Sequence, residues 1–89
     1  MKAIVTVVGK DQVGIIAAVC IKLAEYNVNV LDISQTVMQG YFTMMMVVDV
    51  SGCTVELAEF ASIMDQMGKE KNLSVRVQRE DIFEAMHRI

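Results

Sequence analysis

Two periods of apolar residues alternate along the chain, and each change of period marks a new element. Residues 2–8 form a continuous, β-branched run, which predicts a strand buried on both faces. From residue 13 to residue 26 the apolar positions recur at helical spacing, which predicts a helix. Its apolar stripe is formed by Val13, Ile16, Ala17, Cys20, Leu23 and Ala24. The opposite side carries Ile15, Ala18 and Val19, so this helix is expected to be largely covered.

The remainder of the chain predicts three more strands and two more helices. Residues 28–38 and 41–50 are strands joined by Gln39-Gly40, a two-residue hairpin turn in which glycine supplies a positive φ. The core side of the second strand is formed by Phe42, Met44, Met46, Val48 and Val50. Thr54 is a candidate N-cap for the next helix. The apolar stripe of that helix is formed by Leu57, Phe60, Ala61, Met64 and Met67. Residues 73–78 alternate as a fourth strand, and residues 81–88 close the chain as a short amphipathic helix.

This order of elements, β-α-β-β-α-β with a terminal helix, predicts the fold class. Right-handed crossovers allow one simple packing of two βαβ halves. It is the ferredoxin-like α+β sandwich, a four-stranded antiparallel sheet with two helices on one face. We expect residues 1–79 to form this domain and residues 80–89 to add a helical tail to it. The other sheet face has no cover from the chain itself, in agreement with half-apolar positions from residue 41 to residue 49.

The composition favours an assembly over an isolated domain. Of the 89 residues 54% are hydrophobic, and the mean hydropathy is +0.43. Because excess apolar surface usually marks an interaction site, we expect a homodimer or higher homo-oligomer, with a compact monomer as the alternative. The net charge of −3, without a cluster of Lys and Arg, argues against nucleic-acid binding. No apolar run suits a signal peptide or membrane span, and Cys20 and Cys53, as free thiols, fit the cytoplasm.

The turn between the first strand and the first helix is the candidate binding site. It carries Gly9, Asp11 and Gly14, and it brings the free N–H groups of a helix start to the tip of a strand. We expect the amides of residues 12–15 to hold an α-carboxylate, with Asp11 meeting an α-amino group. Gly14 would leave room for the ligand. The alternative is that Asp11 only caps its helix and Gly14 only allows close packing.

Signals for catalysis, metal or cofactor binding are weak. His87, the only histidine, falls on the expected solvent side of the terminal helix, and no histidine lies near Cys53 in the sequence. Asp11 and Asp32 could form a carboxylate pair, but separate cap and strand-edge roles explain each of them. The first loop lacks the paired cysteines of metal chaperones and the arginine of acylphosphatases, and the first strand lacks the aromatics of RNA-binding domains. The methionines at alternating positions fit core and interface packing.

Over residues 2–79 the chain resembles the ACT domain, a small regulatory module of amino-acid metabolism. The resemblance rests on three stretches: Val5-Thr6-Val7-Val8-Gly9-Lys10-Asp11; Gly14-Ile15-Ile16; and Ala24 to Asn29 with Val30, Asp32 and Ile33. Val13 stands where the family often has proline. The resemblance implies domains that pair side by side or stack, with a ligand at the pair interface. The ligand loop would be formed by Gly9, Asp11, Gln12, Val13, Gly14 and Ile15. The opposite wall, from a neighbouring subunit, would be formed by Leu31, Asp32, Ile33 and Ser34.

The sequence as a whole predicts a non-enzymatic regulatory module. It would bind an amino acid or a similar small carboxylate at a subunit interface, without a cofactor or metal. It would transmit binding to a separate protein partner, since no catalytic domain is attached to it. The alternative is an oligomerisation or scaffold module that binds no small ligand. The pair Asp11 and Gly14 is the sequence feature that separates the two hypotheses.

Overall fold

The computed structural model describes residues 1–81, and within them the predicted order β-α-β-β-α-β is confirmed. The elements are β1 (Lys2–Lys10), α1 (Ile15–Glu25), β2 (Asn29–Met38), β3 (Tyr41–Asp49), α2 (Leu57–Glu70) and β4 (Leu73–Arg79). Glu80 and Asp81 have helical backbone, and the rest of the helix predicted over 81–88, with His87, lies outside the described residues. In the described part of the chain, neither helix has the length and apolar character needed to span a membrane.

The strands form one antiparallel sheet in the order β2-β3-β1-β4, with both helices on one face. This is the ferredoxin-like sandwich that the element order predicts. The hairpin between β2 and β3 turns at Gln39 and Gly40, whose φ angles are 50° and 83°. Two positive φ angles in succession are the requirement of a tight hairpin turn whose twist matches that of the strands. The two strands at the edges of the sheet are β2 and β4.

The core lies between the helices and the face of the sheet that they cover. The central strand β1 contributes Ala3, Val5 and Val7 to it, and each of these side chains is fully buried. The predicted core side of the third strand, from Phe42 to Val50, is also buried. The prediction that β1 is buried on both faces is only partly right. On the other face Ile4 is buried, but Val8 is 41% exposed.

The first helix differs from its prediction in start and in orientation. It begins at Ile15, two residues later than expected, because the chain first passes through a left-handed turn at Gly14. Its buried face is Ile15, Val19 and Leu23, spaced four residues apart. Of the predicted stripe only Leu23 is buried; Cys20 is half-buried and Val13 is fully exposed. The periodicity was ambiguous because nearly every position of this helix is apolar.

The second helix packs closely on the sheet. Its buried residues are Phe60, Met64, Met67 and Gly68, so most of the predicted stripe is confirmed. Thr54 does not cap it: the N-cap position is Glu56, and the Thr54 N–H donates to the Tyr26 carbonyl oxygen at 3.1 Å. A Cβ built on Gly68 would lie 2.8 Å from the Leu73 carbonyl oxygen, so glycine lets α2 approach β4.

A bulge in β2 decides which of its side chains share a face. Val30 pairs with Val48 and Asp32 with Val47, so Leu31 is an extra residue in the ladder. Beyond the bulge, Asp32 and Ser34 stand opposite Val47 and Met45 on the face without helices, which we call the open face. The alternate residues of β2, including Ile33 and Val37, lie on the side that the helices cover. All residues from 31 to 40 are exposed, so this edge of the sheet is bare on both sides.

Candidate functional site

The loop from β1 to α1 is fastened to the two neighbouring turns. The Asp11 N–H donates to the carbonyl oxygen of Gly40 at 2.7 Å, which ties the loop to the β2–β3 hairpin. The Gln12 Nε2 donates to the carbonyl oxygen of Lys71 at 3.1 Å, which ties it to the turn before β4. Just before the loop, a Cβ at Gly9 would lie 2.5 Å from Leu73 Cδ2. Gly9 is therefore explained by packing against β4.

Gly14 forms the start of α1 and sets the direction of its free amides. It is the N-cap residue, with φ 87°, and its carbonyl oxygen accepts the Ala18 N–H at 2.9 Å. The N–H groups of residues 15–17 are the first of the helix, so no helix carbonyl accepts them. The prediction placed the binding amides at residues 12–15 instead. No side chain in the described part of the chain caps this end, so the prediction that Asp11 is the N-cap is wrong.

These free amides open into a shallow recess of about 160 Å³. Four of the predicted ligand residues line it: Asp11, Gln12, Gly14 and Ile15. Ile16, Ala17 and Phe42 complete the lining, and the sequence analysis did not include them. Phe42 lines the recess because it pairs with Gly9 between β3 and β1. No local feature of the sequence predicts this register of the two strands. The recess thus joins a carboxylate, a helix start and apolar surface.

The residues of the predicted opposite wall line a second recess, also of about 160 Å³. Asp32, Ile33 and Ser34 form its β2 side, and Met45 and Val47 complete it. The two recesses share no residue. Ser34 of the β2 recess pairs with Met45, which lies three residues along β3 from Phe42 of the loop recess. The two recesses are therefore about 10 Å apart within one chain. Asp11 and Asp32 therefore do not form the carboxylate pair that the sequence allowed.

Three predicted site residues lie outside both recesses. Gly9 is in the β1 ladder, Val13 projects fully into solvent, and Leu31 is the bulge residue. Asp32 uses one carboxylate oxygen locally, since its Oδ1 accepts the Ile33 N–H at 2.9 Å. Among residues 1–81, no group of three or more His, Cys, Asp or Glu side chains could hold a metal ion. Both cysteines are free and half-buried.

One carboxyl group away from these recesses has a perturbed pKa. The backbone N–H of Ser51 donates to Asp49 Oδ1 at 2.9 Å, and this hydrogen bond lowers the pKa of Asp49 below its ordinary value. Its side-chain hydrogen bond with Ser51 and the nearby amino terminus of Met1, 3.7 Å from the carboxylate, act in the same direction. Asp49 lies at the end of β3 that is far from the loop recess, and its hydrogen bond from Ser51 stabilises the turn that follows β3.

The βαββαβ sandwich with its strand-to-helix recess defines a small α+β domain, and comparison with known proteins gives the family. The family model of the ACT domain matches residues 2–78. This chain belongs to the ACT domain family, whose members are regulatory, non-catalytic modules that often bind amino acids and commonly form oligomers.

Relatives and solved structures agree with that assignment. A UPF0237 protein of Listeria innocua is 51% identical over 89 residues, which is 100% of both chains. An ACT domain protein from Streptococcus pneumoniae has a similar structure, with a TM-score of 0.82 and 45% identity over 94% of each chain. The regulatory subunit of aspartate kinase from Thermus thermophilus is similar in fold, with a TM-score of 0.67 and 24% identity over 86% of this chain and 50% of that one.

Proposed function

We propose that this protein is a ligand-sensing ACT module that binds an amino acid or similar small carboxylate between two copies of the chain. One copy would contribute the recess of the β1–α1 loop, and the other would contribute the β2 wall from Leu31 to Ser34. Ligand binding would favour the paired state and so change the surface that a separate protein partner contacts. The proposal rests on where the loop is anchored. The bond from the Asp11 N–H to Gly40 holds it beside the Met38 end of an exposed edge strand.

The bare edge of β2 supports pairing with a second copy. Natural edge strands are usually blunted by lysine, by proline or by a covering element. From Asn29 to Met38 there is no Lys, Arg or Pro, and Ile33 and Val37 are 44% and 55% exposed. A two-fold axis through the edge would extend the sheet by antiparallel pairing of the two β2 strands. With its centre near Gln35, the axis would set the 31–34 half of one β2 beside the loop of the other chain.

The size of the recess also supports a shared site. Pockets that bury a small molecule usually measure about 300–1,000 Å³. The loop recess alone is about 160 Å³, which is too small to enclose a ligand without a contribution from a second chain. A small zwitterion would fit the chemistry of the joined site. The amides of residues 15–17 would hold its carboxylate, Asp11 would attract its ammonium group, and Phe42 and Ile16 would offer apolar contact.

The same small volume favours the second candidate function, an oligomerisation module without a ligand. In that case β2 pairing would bury the exposed Ile33 and Val37, and the helix start would stay solvated. Asp11 would then have no partner beyond its backbone bond to Gly40.

A thermal-shift screen against the twenty amino acids at millimolar concentration separates the two functions. A ligand at 100 times its Kd stabilises by about 2.7 kcal/mol. For a domain of this size that raises Tm by about 10–20 °C. Asp11→Asn removes the charge that would meet the ammonium group and should abolish most of the shift. Glu59→Gln, an exposed carboxylate change on α2, is the matched control and should keep it.

Two outcomes contradict the amino-acid sensor. The first is no shift with any amino acid, which leaves the module without a ligand or with a ligand of another class. The second is an equal shift in wild type and Asp11→Asn, which would place the ligand elsewhere. Light scattering of the free protein gives an independent check, since a clean monomer of 9.9 kDa at high concentration contradicts both candidate functions.

A further inference from the structure

The side chain of Gln12 lines the loop recess and is held by an element far from it in sequence. Its Nε2 donates to the carbonyl oxygen of Lys71 at 3.1 Å, across 59 positions. Lys71 is the C-cap residue of α2, and its own N–H donates to the Gly68 carbonyl oxygen at 3.0 Å. The left-handed Asn72, with φ 59°, completes this turn. The acceptor that holds Gln12 is therefore fixed by the folded turn before β4.

This hydrogen bond also sets the orientation of the Gln12 side-chain amide. A backbone carbonyl accepts hydrogen bonds and never donates them, so the NH₂ group is the end that faces Lys71. The amide oxygen Oε1 is the other end, and it has no hydrogen-bond partner among residues 1–81. A side chain held in this way offers an acceptor before any ligand arrives, so binding costs little further rotamer freedom.

The side chains that line the recess match a ligand group that is rich in donors. The side-chain acceptors of the lining are the Asp11 carboxylate and Gln12 Oε1, from adjacent residues. No Lys, Arg or His is among the described residues of the lining, and its other side chains are apolar. A primary ammonium group carries a positive charge and three N–H donors, so it can satisfy both acceptors at once. A carbonyl oxygen in its place can satisfy neither of them.

We infer that Gln12 is a specificity-determining residue, which together with Asp11 makes the recess select a free α-ammonium group. This inference rests on the proposed function, and it specifies the ligand class as α-amino acids rather than the 2-oxo acids with the same side chains. A 2-oxo acid keeps the carboxylate but has an acceptor oxygen where the ammonium group would be. Sites that hydrogen-bond an N–H group of a ligand reject analogues without it, because the protein groups are then left unpaired.

Isothermal titration calorimetry of the full chain tests this selectivity. Each amino acid that raises Tm in the screen is compared with its 2-oxo acid, such as L-alanine with pyruvate. Wild type should bind the amino acid at least about 100-fold more tightly than the 2-oxo acid. Gln12→Met keeps the length of the side chain but removes the amide. It should raise the Kd of the amino acid about 10-fold or more and that of the 2-oxo acid less than about twofold.

The ratio of the two Kd values separates recognition from structural damage, because a distorted recess would weaken both ligands by a similar factor. Gln66→Met is the matched control. It makes the same substitution at an exposed position of α2, and it should change neither Kd. Circular dichroism confirms that each variant folds, and Gln12→Ala serves if Gln12→Met does not.

Nuclear magnetic resonance of the free protein tests the orientation of the amide without any ligand. The side-chain NH₂ signals of Gln12, identified by their loss in Gln12→Met, should exchange with solvent more slowly than those of Gln66. Equal exchange, or equal weakening of both ligands in Gln12→Met, overturns the inference and leaves the proposed function standing. A 2-oxo acid that binds wild type as tightly as its amino acid does the same. If no amino acid binds wild type, the proposed function fails and the inference fails with it.

Discussion

The left-handed turn at Gly14 predicts opposite effects for the two mirror forms of alanine. Its φ is 87°, where an L-residue costs about 1–2 kcal/mol. A Cβ built there has no neighbouring heavy atom within 4 Å, so no clash adds to that cost. Alanine also lowers the entropy of the unfolded chain, which returns about 0.4–1 kcal/mol. Gly14→Ala should therefore destabilise by about 1 kcal/mol, a fall in Tm of about 4–8 °C by circular dichroism.

The D-alanine form, introduced by chemical synthesis, accepts a positive φ and keeps the entropic gain. It should raise the stability by about 0.4–1 kcal/mol. Gly40 is the matched position, because its φ is 83° and its built Cβ is also free of contacts, and the same pair of substitutions should behave alike there. An L-alanine at Gly14 that leaves Tm unchanged, or a D-alanine that lowers it as much as the L-form, would refute the conformational argument.

Three further predictions concern packing, pH and assembly. Gly68→Ala would place its Cβ 2.7 Å from Val75 Cγ2 and 2.8 Å from the Leu73 carbonyl oxygen, so despite a better helix propensity it should lose about 1–2 kcal/mol in urea unfolding. The pKa of Asp49 in the folded state is lowered from 3.8, so its ionised carboxylate stabilises the fold above pH 3.8, and this stabilisation is lost as the pH falls below that value. Thermal melts from about pH 6 to about pH 3 should therefore show a steeper loss of Tm for wild type than for Asp49→Asn. Val37→Lys puts a charge on the β2 edge and should halve the mass of the assembly in light scattering; an unchanged mass would contradict pairing at that edge.

The sequence was most informative where a local rule and a tertiary constraint agree. Gln39-Gly40 predicted a hairpin because a two-residue turn needs positive φ angles, and both residues have them. The alternation from residue 42 to residue 50 predicted the buried side of β3 because one face of that strand is covered along its whole length. In both cases the information lies within a few neighbouring residues.

The first helix shows where local rules fail. Asp11 has the residue type of an N-cap, but its backbone N–H is bonded to Gly40, and the helix starts only after Gly14. Helical period alone could not select the buried face among positions that are nearly all apolar. The decisive contact comes from a turn 29 positions away in sequence, between residues 11 and 40. No pattern around the loop records it.

The sequence predicted most residues of the two recesses but not how the recesses are divided. Seven of the ten predicted residues line a recess, as the two linings show. Phe42, Met45 and Val47 were missed because β-sheet register brings them there from another strand. The predicted residues fall into two separate recesses because of the tertiary positions of the loop and β2, which a linear motif does not contain.

The bulge at Leu31 has a consequence for comparing this chain with its relatives. Because Leu31 is the extra residue of the ladder, its removal would restore simple alternation from Val30 to Asp32 and leave every later side chain on its present face. A homologue shorter by one residue here would keep Asp32 and Ser34 equivalents in place, so an alignment should carry its gap at position 31. Moving that gap two or three residues along the strand would match open-face positions with helix-side ones, and would assign the proposed binding wall to the wrong residues.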